Sequence, residues 1–172
     1  MQIPQGDARL LEDPTARRLL ASTELARVAY LARDGTPWVI PMLFCWDGTE
    51  LVHWDGTELV LPTFAGSHKA ASMRRYPAIA LTIDTKWPPL EVAQLRGSAE
   101  IVDLDGIAPE CALAQHRYYG NDQGGANTEQ VAQSGGAMKR ILFRPEWVGV
   151  LDFQSRFPGA RVASGVAEED GS

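Results

Sequence analysis

Residues 62–77 read PTFAGSHKAASMRRYP, and they gather groups suited to binding an anion. A strand-like run ends near Thr63; Gly66, Ser67, His68 and Lys69 then lead into a helix-like run. The first N–H groups of a helix have no partner within it, and the helix dipole puts partial positive charge beside them. A phosphate fits there, with the Thr63 and Ser67 hydroxyls as further donors and the Lys69 ammonium as charge. Arg74 and Arg75 follow one to two turns later. The same residues also suit a plainer role. Ser67 is a good N-cap, and a basic face keeps a surface helix solvated. Residue types alone leave both readings open.

Other chemistry finds less support. His53, His68 and His116 are scattered, and neither His-Glu-x-x-His nor Cys-x-x-Cys occurs, so no metal centre is expected. Ser67 lacks the Gly-x-Ser-x-Gly setting of a nucleophile elbow. No glycine-rich dinucleotide fingerprint and no Walker motif is present. The glycine-rich stretches QGGAN and SGGAM read as flexible loops. A net charge of −6 argues against a general nucleic-acid binder. No apolar run reaches the length that crosses a bilayer. The opening residues lack the basic and apolar regions of a secretory signal. Two cysteines, Cys45 and Cys111, suit reduced thiols and a cytoplasmic setting.

The elements that must position the turn follow from local punctuation. Asp13–Pro14 reads as an N-cap and first helical residue, followed by TARRLLAS. Apolar, β-branched runs separated by Asp-Gly pairs predict strands near 27–33, 37–46 and 49–62. Ser67 opens a helix that Pro77 ends. Strands are expected at 78–84 and 91–103, and a helix from Pro109 to Gly120. Residues 121–138 read as loop with one or two helical turns, and 139–153 as a strand broken at Pro145. The expected fold is mainly β with peripheral helices: a six-stranded antiparallel barrel. With 172 residues and 45% hydrophobic content, one folded unit over 1–155 and an acidic tail over 156–172 are expected.

Three pieces in order carry a resemblance. Gly35, Pro37 and Pro41 match a G-x-P-x-x-x-P strand; Thr63, Ser67, Lys69 and Pro77 match a hydroxyl-rich turn, a lysine and a basic helix; Gly97, Ala99 and Glu100 match a G-x-A-E strand. The chain resembles the pyridoxamine 5'-phosphate oxidase-like FMN-binding split-barrel superfamily over roughly residues 18–153. The resemblance implies a six-stranded Greek-key split barrel and a homodimer with cofactor sites at the interface. It implies that the phosphate of FMN, or of the deazaflavin coenzyme F-420, sits at Ser67, His68 and Lys69 with Thr63 nearby. The flavin ring would lie against Val39, Ile40, Pro41 and Met42, with Trp87 or Trp147 covering it from the other subunit. Core or dimer packing is an equal reading for both tryptophans. Arg140 and Arg144 do not reproduce the basic set that grips pyridoxal phosphate in the true oxidases. The expected activity is therefore a flavin-binding oxidoreductase acting on a small molecule outside that chemistry. A deazaflavin-dependent reductase and a flavin- or haem-binding protein without catalysis are the alternatives. Haem would take His53, His68 or His116 as its axial ligand.

Residues 46–61 read WDGTELVHWDGTELVL, a tandem copy of eight residues. Eight is even, so the insertion keeps inward side chains inward on a strand. A lengthened hairpin is expected. Keeping the outer pairing puts Leu51 and Val52 at the tip; using Asp55–Gly56 as the turn slides the strands instead. His53 and Trp54 could then reach a partner or substrate, although an insertion tolerated at an exposed tip is the plainer expectation.

Overall fold

In the computed structural model the described residues are 3–46 and 58–154. A 3-10 helix (Ala8–Glu12) precedes helix α1 (Pro14–Ala21). The Asp13 carboxylate accepts the Thr15 N–H and Pro14 opens the helix, as its sequence predicts. Strands β1 (Ala26–Leu31) and β2 (Pro37–Met42) form a hairpin. Its turn rests on Gly35, whose φ of +84° is open to glycine, and on Asp34, which accepts from the Thr36 N–H and hydroxyl. There follow β3 (Cys45–Trp46), β4 (Leu59–Phe64), α2 (His68–Arg75), β5 (Ala78–Asp84), β6 (Glu91–Asp103), α3 (Pro109–Gln133) and β7 (Met138–Asp152).

The strands form one antiparallel sheet of order β2-β1-β5-β6-β7-β4-β3. Its two edge strands, β2 and β3, are consecutive in sequence and joined only by Leu43 and Phe44. So short a link spans about 10 Å at full stretch. The sheet must therefore curl until its edges meet, which makes it a barrel. Side chains of Val28, Leu81, Leu95, Ile141, Phe143, Leu59, Leu61 and Phe44 fill one shared core, and Leu10, Leu11, Leu19 and Leu20 close over it. Burial of this set is the main favourable term in the fold.

Three expectations are corrected. First, the count is seven strands, because the predicted 37–46 strand breaks at Leu43–Phe44 and changes partner there, from β1 to β4. Second, residues 121–133 are helical. Gly120, at φ 78° and ψ 175°, ends one helical segment as expected, but the chain re-enters a helix and folds back. Gly124 then lies so close to the first segment that a Cβ would sit 2.6 Å from the Gln115 carbonyl oxygen, and the Asn127 amide donates to Gln115 Oε1. The glycine serves close packing rather than flexibility. Third, β7 runs unbroken through Pro145. A bulge absorbs the proline: Arg96 faces Trp147 and Gly97 faces Pro145, leaving Glu146 as the extra residue.

Around the duplicated segment, Cys45 pairs with Val60 and Trp46 with Leu59, so the first copy's tryptophan faces the second copy's leucine. The tip, with Leu51, Val52, His53 and Trp54, lies outside the described residues. No helix among the described residues is long and apolar enough to cross a membrane.

Candidate functional site

The Ser67 turn is built by three neighbours. β4 delivers Thr63 to the sheet's end, where it pairs with Lys139 of β7, which in turn pairs with Asp103 of β6. The Ala65 N–H donates to the Ala137 carbonyl and the Ser67 N–H to the Phe64 carbonyl, which closes the turn. Buried Thr63 donates its hydroxyl to Ser67 Oγ at 3.2 Å. Ser67 Oγ also accepts the Ala70 N–H at 3.4 Å, the N-cap bond its sequence predicts. His68 opens α2 and is exposed.

Lys69 is half-buried, and burial pushes its ammonium below the ordinary lysine value of 10.5. Among the described residues no carboxylate pairs with it. The neighbouring cations are engaged. Arg74 and Lys139 share the Asp103 carboxylate, which both hold below its usual range, Lys139 the more strongly. Arg140 is bound at 2.7 Å to buried Glu110 at the start of α3. Arg144 is paired with Glu58. The turn thus combines two linked hydroxyls, free helix N–H groups and one unneutralised cation, a set suited to one phosphate group.

The second half of the predicted site lies on β2. Val39 and Pro41 are exposed, Ile40 is half-buried and Met42 is buried. Because β2 is a sheet edge, alternate backbone N–H and C=O groups along it have no strand partner. Met42 precedes the change of partner at Leu43–Phe44 and pairs with Ala26 of β1. The sequence-predicted ring-binding residues thus lie on the edge strand β2, and the predicted phosphate-binding residues at the β4–α2 turn.

The two tryptophans lie elsewhere. Trp87, in the β5–β6 loop, is 80% exposed and unpacked within its own chain. Trp147 on β7 is half-buried and packed by its own chain, with the Arg96 guanidinium 4.0 Å above its ring. Arg96 is a cation that the sequence analysis does not single out. Its only sequence signal is its place beside Gly97, and Trp147 is remote in the chain.

A curled antiparallel sheet of seven strands with few helices is the architecture of the split-barrel class. The family model described as pyridoxamine 5'-phosphate oxidase matches residues 12–151, and the chain belongs to that family. No curated protein matches the chain. Among solved structures, a conserved hypothetical protein from Mycobacterium tuberculosis is similar at 20% identity and a TM-score of 0.61, over 90% of this chain and 91% of that one. An F-420 reductase is similar at 21% identity and a TM-score of 0.54, over 77% of this chain and 94% of that one. The haem storage protein of Vibrio cholerae is similar at 11% identity and a TM-score of 0.55, over 81% and 93%. Identities this low carry the fold and leave the ligand open.

Proposed function

We propose that the protein is an FMN-dependent oxidoreductase acting on a small molecule, as a cytoplasmic homodimer. The observation that carries this reading is Lys69, a half-buried cation with no described counter-charge at the start of α2. Burying an ammonium without a partner costs free energy, and a bound phosphate removes that cost. Thr63, Ser67 and His68 complete the phosphate site. The free edge of β2 at Val39, Ile40, Pro41 and Met42 offers backbone donors and acceptors to a flavin ring edge. Bound FMN supplies the hydride chemistry; the chain binds it, orients it and keeps water away.

What the chain leaves uncovered supports the dimer. Helix α3 packs on β3 and β4, whereas Leu31, Trp38 and Val39 near the other edge stay exposed. A second copy laid on that side would bury them and bring Trp87 or Trp147 toward the ring. Cys45 and Cys111 are not joined to each other by a disulfide, which accords with a reducing compartment.

Two alternatives share the fold. Coenzyme F-420 carries a longer acidic tail, which calls for several free cations. Of the three candidates for that task, Arg74 and Lys86 are held by Asp103 and Glu24, and Arg75 stacks on Tyr76. This favours FMN. Haem would need an axial ligand, and the described histidines, His68 and His116, are both exposed.

The test is a visible spectrum of the purified protein after addition of FMN, F-420 or haem, followed by anaerobic addition of a reduced nicotinamide. The expected result is a protein-bound flavin spectrum with FMN that bleaches with one equivalent of the donor and returns when an electron acceptor is added. Bound FMN that no donor reduces would point to a carrier. A response confined to F-420 would change the cofactor, and a Soret band without flavin binding would make haem the ligand.

A further inference from the structure

Arg96 stands where the sheet is most tightly built. The β6–β7 register shifts between Arg96 and Gly97. A Cβ at Gly97 would lie 1.8 Å from the Arg144 carbonyl oxygen, so only glycine permits the strands to approach there. Bulges of this kind re-aim side chains. Trp147, opposite Arg96, is boxed in by two more glycines. A Cβ at Gly6 would lie 2.6 Å from the indole Nε1, and one at Gly149 would lie 2.6 Å from the far ring carbon. Gly6 is itself fixed by its N–H donating to the Val148 carbonyl. The indole thus has little freedom, and the Arg96 guanidinium lies on it with its carbon 4.0 Å from the ring centroid.

This guanidinium is oriented but unspent. Among the described residues Arg96 has no hydrogen bond and no ion pair. The nearby carboxylate on the bulge, Glu146, accepts from the Ser98 hydroxyl. A planar guanidinium held on an aromatic face, with its N–H edges free, matches a carboxylate or phosphate in bidentate geometry. Its place in the sheet is also telling. Successive strand pairings run Val39–Ala29, Ala29–Ala80, Ala80–Arg96 and Arg96–Trp147. Arg96 therefore shares a row with Val39, about 14 Å away at three strand spacings. Only the short side chains of Ala29 and Ala80 stand between them. A ligand resting against Val39 thus meets a low shelf that ends at a fixed positive charge.

We propose that Arg96, held by Trp147, is the residue that recognises an anionic group of the substrate, a carboxylate or a phosphate. The assignment rests on the flavin reading of the β2 edge. Charge at this point suits the molecule as a whole: the chain carries a net −6, and an anionic ligand needs a local cation to be received.

Benzoate serves as the probe, titrated into the FMN-loaded protein and followed by flavin absorbance and by calorimetry. Saturable binding is expected, weaker by about tenfold or more in Arg96→Ala, while the FMN affinity and Tm stay unchanged. Added guanidinium ion should restore benzoate binding to Arg96→Ala, which a merely structural role would not allow. Arg96→Lys keeps the charge without the fork and should fall between. Equal benzoate affinity in the two proteins overturns the assignment. So does an effect of Arg96→Ala confined to oligomeric state, which would make Arg96 an ion-pair residue between copies. Failure of FMN to bind defeats the proposed function instead. Calorimetry on the unloaded protein then reads Arg96 directly, and an Arg96-dependent benzoate affinity there supports the assignment.

Discussion

Lys69→Ala is expected to weaken FMN binding by about 10- to 100-fold, the loss of roughly 1.5–3 kcal/mol that a charge-assisted contact contributes. Riboflavin binding should barely change, because the vitamin lacks the phosphate. The physical basis is the ammonium's position: half-buried, beside helix N–H groups, with no carboxylate among the described residues to hold it. A pH dependence follows. Burial depresses the Lys69 value below 10.5, so between that depressed value and 10.5 the unfolded chain binds more protons than the folded one. The unliganded protein should therefore gain stability as pH rises through this window, and Lys69→Ala should abolish that gain. FMN affinity should move the opposite way and fall as Lys69 loses its proton. Fluorescence quenching of FMN, titrated at several pH values in both proteins, measures the affinities, and denaturant unfolding of both unliganded proteins over the same pH range measures the stability change.

The second large effect is expected at Gly97. An added methyl would sit 1.8 Å from the Arg144 carbonyl oxygen, 2.9 Å from its carbon and 3.1 Å from the Glu146 nitrogen. All three are backbone atoms, so no side chain can swing aside. Relief requires the β6–β7 ladder to shift, and that ladder carries the longest pairing in the sheet, from Glu91–Asp152 to Asp103–Lys139. Gly97→Ala should cost about 4 kcal/mol, which lowers the Tm of a domain this size by about 10 °C. Gly136→Ala is the control, because its Cβ would meet only side-chain atoms at 3.7 and 3.9 Å. Thermal melts followed by circular dichroism separate the two. The bulge also aims Arg96 and Trp147, so any folded fraction of Gly97→Ala should bind benzoate poorly.

Much of the positioning framework is legible in the sequence because it is local. The Asp34–Gly35 turn, the Asp13 and Ser67 caps and the Pro77 stop each depend on a few adjacent residues whose chemistry admits few alternatives. The Ser67 turn is legible for the same reason, since its hydroxyls, helix start and lysine are contiguous. The break at Leu43–Phe44 is not. Residues 37–46 form a continuous apolar run, and only the closure of the barrel decides that its first part pairs with β1 and its last with β4. The second segment of α3 is hidden by Gly124 and Gly125, which read as loop until the close approach to Gln115 shows their use. Arg96 and Trp147 meet only through strand register, so no spacing rule brings them together. The role of Lys69 has both levels: its type and place are visible in sequence, whereas its burial and the engagement of Arg74, Lys139 and Arg140 elsewhere emerge only from packing.

The duplicated segment shows how an insertion enters such a fold. Pairing of Trp46 with Leu59 and of Cys45 with Val60 brings the two copies together at the strand ends, and residues 47–57 between them lie outside the described residues. The even count of inserted residues preserves which side chains face inward on β4, where Leu59 and Leu61 enter the core.

The most direct test of the phosphate turn is a pair of dissociation constants, for FMN and for riboflavin, measured on the unaltered protein under one set of conditions. FMN is expected to bind about 100-fold or more tightly, through the phosphate contacts at Thr63, Ser67, His68 and Lys69. Equal affinities, or binding of neither, would contradict a flavin phosphate at the start of α2.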